Sequence, residues 1–153
     1  MTLEFPTYDP DVAALLANSG GGMAGLPDYL GITTTAAGPG TMTAEIELRP
    51  ELLNPFGSAH GGVLAALVDH VLGAVLYPVI ERGAWAATTQ LNLNFTAPAR
   101  SGALTARSEI IALSKRTAVV RIDVTNDGRL IGAAQGTVMI NPPRESPAPG
   151  GQL

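Results

Sequence analysis

The chain of 153 residues contains no cysteine, two histidines, one tryptophan and 5% aromatic residues in all. Without a thiol it can form no disulfide, no zinc-thiolate or iron-sulfur site, and no cysteine nucleophile. The two imidazoles, His60 and His70, stand in no carboxylate-rich spacing, so no metal centre is expected. Charge is scarce as well: 14% of residues carry it, and 9 Lys+Arg against 13 Asp+Glu leave a formal net charge of -4. Binding to a nucleic-acid backbone draws on clustered Lys and Arg, so no nucleic-acid partner is expected. The first fifteen residues hold Glu4, Asp9 and Asp11 and no basic stretch, which is unlike a secretory signal. A cytoplasmic protein is the expectation.

Apolar residues, in contrast, make up 46% of the chain. One domain is the natural count, and a chain of this length buries roughly two-thirds of its unfolded surface without needing a covalent staple. Low charge with a positive mean hydropathy of +0.23 points to a surface partly covered by copies of itself.

Along the chain, Asp9-Pro10 ahead of Asp11–Leu16 reads as a capped short helix ending at Ser19-Gly20-Gly21-Gly22, and a second short turn covers Leu26–Gly31. The run Gly20–Gly25 fits G-x-G-x-x-G but opens no strand-to-helix turn, so it reads as a flexible linker and not as a nucleotide loop. Residues 32–37 and 40–48 alternate as strands joined by Gly38-Pro39. From Gly61 to Leu76 the pattern becomes helical and apolar nearly all the way round. Asp69 and His70 near its middle and Pro78 past its end argue against a membrane span, leaving a helix wrapped by a sheet.

Residues 89–95 then alternate strictly, and residues 104–113, 117–125 and 130–140 supply three more strands. The last two are joined by the hairpin signal Asn126-Asp127-Gly128-Arg129. The Pro-rich tail from Pro142 to Leu153 reads as disordered. Two strands, one long helix and four antiparallel strands define an α+β fold, with no βαβ unit.

Two features carry chemistry. Asp69 is an acid on a helix that the pattern gives no solvated face, so its carboxylate needs a partner or a raised pKa. The loop Asn54-Pro55-Phe56-Gly57-Ser58-Ala59-His60-Gly61-Gly62 runs into the helix start, where open backbone N–H groups and the positive dipole end suit a developing oxyanion. Gly61 and Asp69 are eight residues apart, about 12 Å along one helix, too far to touch one carbonyl together. A site using both needs two subunits with antiparallel helices. Ser58, His60 and Asp69 do not make a serine-hydrolase site, because the G-x-S-x-G elbow is missing.

The set Asn54-x-x-Gly57-x-x-His60-Gly61-Gly62, Leu67-Val68-Asp69 and Asn92-Leu93-Asn94-Phe95-Thr96-Ala97-Pro98-Ala99-Arg100-x-Gly102 resembles the hotdog-fold acyl-CoA thioesterases of the PaaI-like branch. The likeness covers roughly residues 30–140 and implies a long helix wrapped by a curved antiparallel sheet. It implies hydrolysis of an aryl- or fatty-acyl-CoA, with coenzyme A as part of the substrate, no separate cofactor, and a homodimer or homotetramer with interfacial sites. By this resemblance Asp69 is the nucleophile or general base and the Gly61 N–H the oxyanion donor. Asn54 and Thr88 orient the reacting groups, and His60 is the motif histidine, more a loop support than a proton carrier.

Gly62 and Phe56 are expected at the substrate, with Arg100, Lys115 and Arg116 toward the phosphates of coenzyme A. The same fold also serves non-catalytic acyl-CoA binders, the alternative function. The expected layout is an N-terminal helical segment (1–31), a hotdog domain (32–141) and the tail (142–153).

Overall fold

The structure, a computed structural model, describes residues 3–18 and 24–144. Residues 19–23, with the expected stop of the first helix and most of the Gly-rich run, lie outside the described residues, as do residues 145–153 of the tail. Helix α1 spans Pro10–Asn18 and α2 Leu26–Leu30. Strands β1 (Thr33–Gly38) and β2 (Thr41–Glu47) precede helix α3 (Gly61–Ala74), and β3 (Trp85–Phe95), β4 (Ala103–Leu113), β5 (Thr117–Asn126) and β6 (Arg129–Asn141) follow it.

The six strands form one antiparallel sheet in the order β1-β2-β4-β5-β6-β3. Helix α3 carries the chain from β2 to the far edge of the sheet, so β3 ends up beside β6 and the other strands fill the space between. Period-two alternation decides which face meets the helix. Met42, Ala44 and Ile46 of β2, Leu104, Ala106 and Ile110 of β4, and Ala118, Val120, Ile122 and Val124 of β5 are buried with Leu64, Leu67, Val68, Val71 and Leu72 of α3. Each fully buried side chain of this size is worth about 1.5–3 kcal/mol relative to exposure, which makes α3 the axis of the core.

Local chemistry sets the ends. Asp9 Oδ1 accepts from the N–H groups of Asp11 and Val12 and starts α1. Asp127 and Gly128 both have positive φ (50° and 74°), the geometry of a type I′ turn between β5 and β6.

Three sequence expectations shift. Helix α3 stops at Ala74, two residues early, and a 3-10 turn at Tyr77–Val79 takes up Pro78. Strand β3 starts at Trp85, four residues before the strict alternation, because a bulge between Thr88 and Gln90 breaks the period there. The helix is also not wrapped on every side: Gly62 and Asp69 are exposed, and Gly61, Ala65, Ala66, His70 and Gly73 are half-buried. The sheet covers one face of α3 and leaves a stripe of small residues open.

Candidate functional site

The loop before α3 is a closed unit. Asn54 Oδ1 accepts from Phe56 N–H (2.9 Å) and Ser58 N–H (3.2 Å), while the Asn54 N–H donates to Ser58 O and Gly57 N–H to Asn54 O. Two donors converging on one side-chain atom fix it as the oxygen, so the Asn54 amide NH2 is the group left to face outward. Ala59 N–H donates to Ala99 O and His60 N–H to Leu52 O, which pin the loop between the end of β3 and the turn after β2.

His60 is the N-cap of α3. Its Nδ1 accepts from Gly62 N–H at 2.9 Å, and its backbone oxygen accepts from Val63 N–H. The cap therefore uses the Gly62 donor. The Gly61 N–H, among the described residues, has no acceptor. It opens into a cavity of about 460 Å³ lined by Asn54, Ser58, Leu64, Phe95 and Ile131 among others. An unpartnered donor at the positive end of a helix, beside a cavity, is a place where a developing negative charge is stabilised.

Asp69 lies two turns further along α3. The expectation of a buried, paired carboxylate is corrected: Asp69 is exposed on the open stripe and its carboxylate makes no hydrogen bond or ion pair among the described residues. The single chain carries the Asp69 carboxylate and the open Gly61 N–H on one helix but does not bring them together. Neighbouring His70 is half-buried, and that burial pushes its imidazole below the ordinary value of 6.5 against the opposing pull of Asp69.

Because the folded imidazole binds its proton less readily than the unfolded one, stability falls as pH drops through 6.5 toward the folded value and then levels. Melting temperature followed from pH 8 to 5 will show this decline in the wild type, and His70→Gln will flatten it.

Other sequence candidates separate. Gly62 has already given its N–H to His60, so it is not a substrate donor, although a Cβ there would lie 3.1 Å from His60 Nδ1 and disturb the cap. Phe56 sits at the loop tip, 87% exposed, and lines neither cavity, so within the chain it shapes no acyl pocket. Thr88 is exposed on β3 opposite Val138, at the edge of the bulge. Arg100 lies beside Gly57, whereas Lys115 and Arg116 line a larger cleft of about 880 Å³ past the other end of β3. Eleven residues of strand, roughly 33 Å, separate these two positive positions.

Comparison with known proteins matches this arrangement. The profile of the thioesterase superfamily covers residues 56–133, the stretch that holds the capped loop end, α3, β3 to β5 and the start of β6. The chain belongs to the thioesterase superfamily. It is 31% identical over 109 residues to human acyl-coenzyme A thioesterase 13, covering 69% of this chain and 77% of that one. A 1,4-dihydroxy-2-naphthoyl-CoA hydrolase of Listeria monocytogenes is 27% identical, covering 79% and 99%. A thioesterase structure from Haemophilus influenzae superposes with a TM-score of 0.73 at 26% identity over 92% of both chains. The fold is thus the hotdog thioesterase fold, and the protein is a thioester hydrolase.

Two residues at the cavities of this thioesterase were not singled out by sequence. The Phe95 ring lies over Gly61, so close that a Cβ there would meet its Cζ at 3.2 Å, and this ring walls the smaller cavity. Its place on the same face as Leu91 and Leu93 was the available signal. Asn141, in the larger cleft, holds a buried Nδ2 with no partner among the described residues, which no pattern announces.

Proposed function

We propose that this hydrolase cleaves an acyl-CoA thioester at sites formed across a dimer, with Asp69 of one subunit working against the Gly61 N–H of its partner. The observation that carries the reading is the pair of groups on α3 without a partner among the described residues: a backbone donor at residue 61 beside the smaller cavity and an exposed carboxylate at residue 69, about 12 Å apart along the axis.

A two-fold axis that joins them must cross α3 midway, at the level of Ala65. Gly61 lies under Phe95, and Leu72 lies under Gly136, which pairs with Leu91, so Ala65 stands near the level of Leu93. Strand β3 has a free edge at that level, available to pair antiparallel with its copy. The small residues Gly62, Ala65, Ala66 and Gly73 let two helices approach. With the axis at Leu93, Thr88 of one subunit stands level with the partner's Pro98, and the Trp85–Ala86 end level with the partner's Arg100. The basic groups that lie apart in one chain would then flank one substrate, Arg100 from one subunit and Lys115 and Arg116 from the other. A tetramer would pair two such dimers.

The chemistry asks little of the protein. A thioester carbonyl is already electrophilic, so water activated by Asp69, or the Asp69 carboxylate itself, adds to it while the Gly61 N–H holds the oxyanion. Collapse expels the thiolate of coenzyme A, which takes up a proton, and water supplies the hydroxyl of the free acid. Neither a metal nor a further cofactor enters. The Asn54 NH2 and the Thr88 hydroxyl are the polar groups that orient carbonyl and water.

Thiol release from short, medium, long and aryl acyl-CoAs tests the activity. Release with at least one ester is the expected result; thermal protection by the esters without any release would instead indicate an acyl-CoA binder. The shared site is tested by mixing inactive Asp69→Asn and Asn54→Ala subunits. Random pairing makes half the dimers mixed, each with one intact site, so about one quarter of wild-type activity returns. No recovery after exchange of subunits would mean that each chain works alone.

A further inference from the structure

The larger cleft has a wall that the catalytic reading does not use. Leu3, Glu4, Pro6 and Thr7 form one side of it, facing Lys115 and Arg116 on the β4–β5 turn and Asn141 at the end of β6. This N-terminal strap belongs to no strand or helix and is held at two points. Phe5 packs on Gly40, whose missing side chain makes the room: a Cβ there would overlap the ring. At the other point Asp9 Oδ2 accepts from Arg82 Nε at 2.6 Å, and the Asp9 N–H donates to Pro78 O at 2.7 Å.

The opposite wall is equally fixed. Ser114 Oγ accepts from the N–H groups of Arg116 and Thr117, and Ile140 N–H donates to Arg116 O. The cleft is therefore a preformed space of about 880 Å³, within the usual range of small-molecule sites, with Lys115 and Arg116 on one wall, the carboxylates of Glu4 and Glu81 elsewhere in its lining, and the buried Asn141 amide behind it. The paired cations Lys115 and Arg116 are the groups that suit phosphate.

We infer that Asp9 and Arg82 are positioning residues for the substrate: their ion pair latches the strap as the wall of the cleft that holds the phosphorylated nucleotide half of coenzyme A. This rests on the acyl-CoA reading above. Neither residue lines the cleft, and both act through the strap. The latch sets how tightly the nucleotide end is held and leaves the bond-breaking step alone. Since the pair is exposed on the Arg82 side, its loss loosens the wall and does not remove it.

The test compares Asp9→Asn, Arg82→Gln and the double variant with wild type. Asn at position 9 keeps an oxygen for the α1 cap and puts an NH2, which accepts no hydrogen bond, opposite Arg82 Nε, so the latch is lost and the cap is kept. Each is assayed on an acyl-CoA and on the N-acetylcysteamine thioester of the same acid, which lacks the nucleotide. The expected result is a KM for the CoA ester raised about threefold to fivefold with kcat unchanged, no further rise in the double variant, partial rescue by Arg82→Lys, and unaltered kinetics on the short thioester. Phe5→Ala, which frees the other anchor, gives the same pattern.

Unchanged KM values, or equal losses on both substrates, would overturn the latch. Should wild type release no thiol from either thioester, the hydrolytic reading of the site fails separately. Calorimetric binding of adenosine 3′,5′-bisphosphate then decides the latch: weaker binding in Asp9→Asn supports it, and equal binding refutes it.

Discussion

Asp69→Asn will lower kcat/KM for thioester hydrolysis by about 10²–10⁴-fold, the range lost with a positioned acid or base. The reason lies in where the carboxylate stands. It is exposed on α3, and no described residue hydrogen-bonds or pairs with it, so the fold does not depend on its charge. The amide keeps the volume of the acid but neither takes a proton from water nor attacks a carbonyl. Because Asn is isosteric with Asp and no packing within the chain depends on the charge, the melting temperature and oligomeric state will stay close to those of the wild type. Steady-state kinetics beside a thermal melt check both halves. Turnover within a few-fold of wild type would take Asp69 out of the mechanism.

Gly136→Ala gives the opposite profile, a loss of stability from a residue that no substrate touches. Gly136 lies in β6 between Leu91 of β3 and Val120 of β5, under α3. A Cβ built there would stand 2.5 Å from Leu72 Cδ2, 3.0 Å from Leu72 Cδ1 and 2.8 Å from the backbone oxygen of Gln90. Leu72 is fully buried, and the Gln90 carbonyl is backbone of the strand that pairs with β6 beside the bulge, so it cannot swing aside as a side chain can. One methyl group must therefore push helix and strand apart.

Overpacking of this severity costs about 3 kcal/mol, and for a chain of this size the melting temperature falls by roughly 6–12 °C. Differential scanning calorimetry reads the shift. Because the same contact sets the level of α3 against β3, kcat will fall as well in the fraction that remains folded. A melting temperature unchanged within about 1 °C would show that the helix yields without cost.

Much of the fold was legible in the chain because burial follows period. Six alternating or β-branched segments and one long apolar segment gave the strand and helix order, and the turn Asp127-Gly128 declared itself through residues that accept positive φ. The start of β3 was not legible, since a bulge shifts the alternation by one residue and the pattern then reads as loop. At the proposed site, the spacing of Gly61 and Asp69 was enough to place them about 12 Å apart, because helical rise is fixed by geometry, and this spacing is what the two-subunit proposal rests on.

Sequence by itself determined the elements, their order and the family, and it nominated the residues proposed for the site, since all of these depend on residue type and spacing. Tertiary structure decided what those residues are free to do. It gave the Gly62 N–H to His60 and left that of Gly61 open, turned Asn54 Oδ1 into the loop and its NH2 outward, and exposed an Asp69 that pattern alone had buried. It also folded an N-terminal strap against a cleft built from residues 79–81 and 84, 113–116 and 139–142, all distant from it along the chain. Hydrogen-bond partners and clefts come from segments distant in sequence, and only the packed chain brings them together.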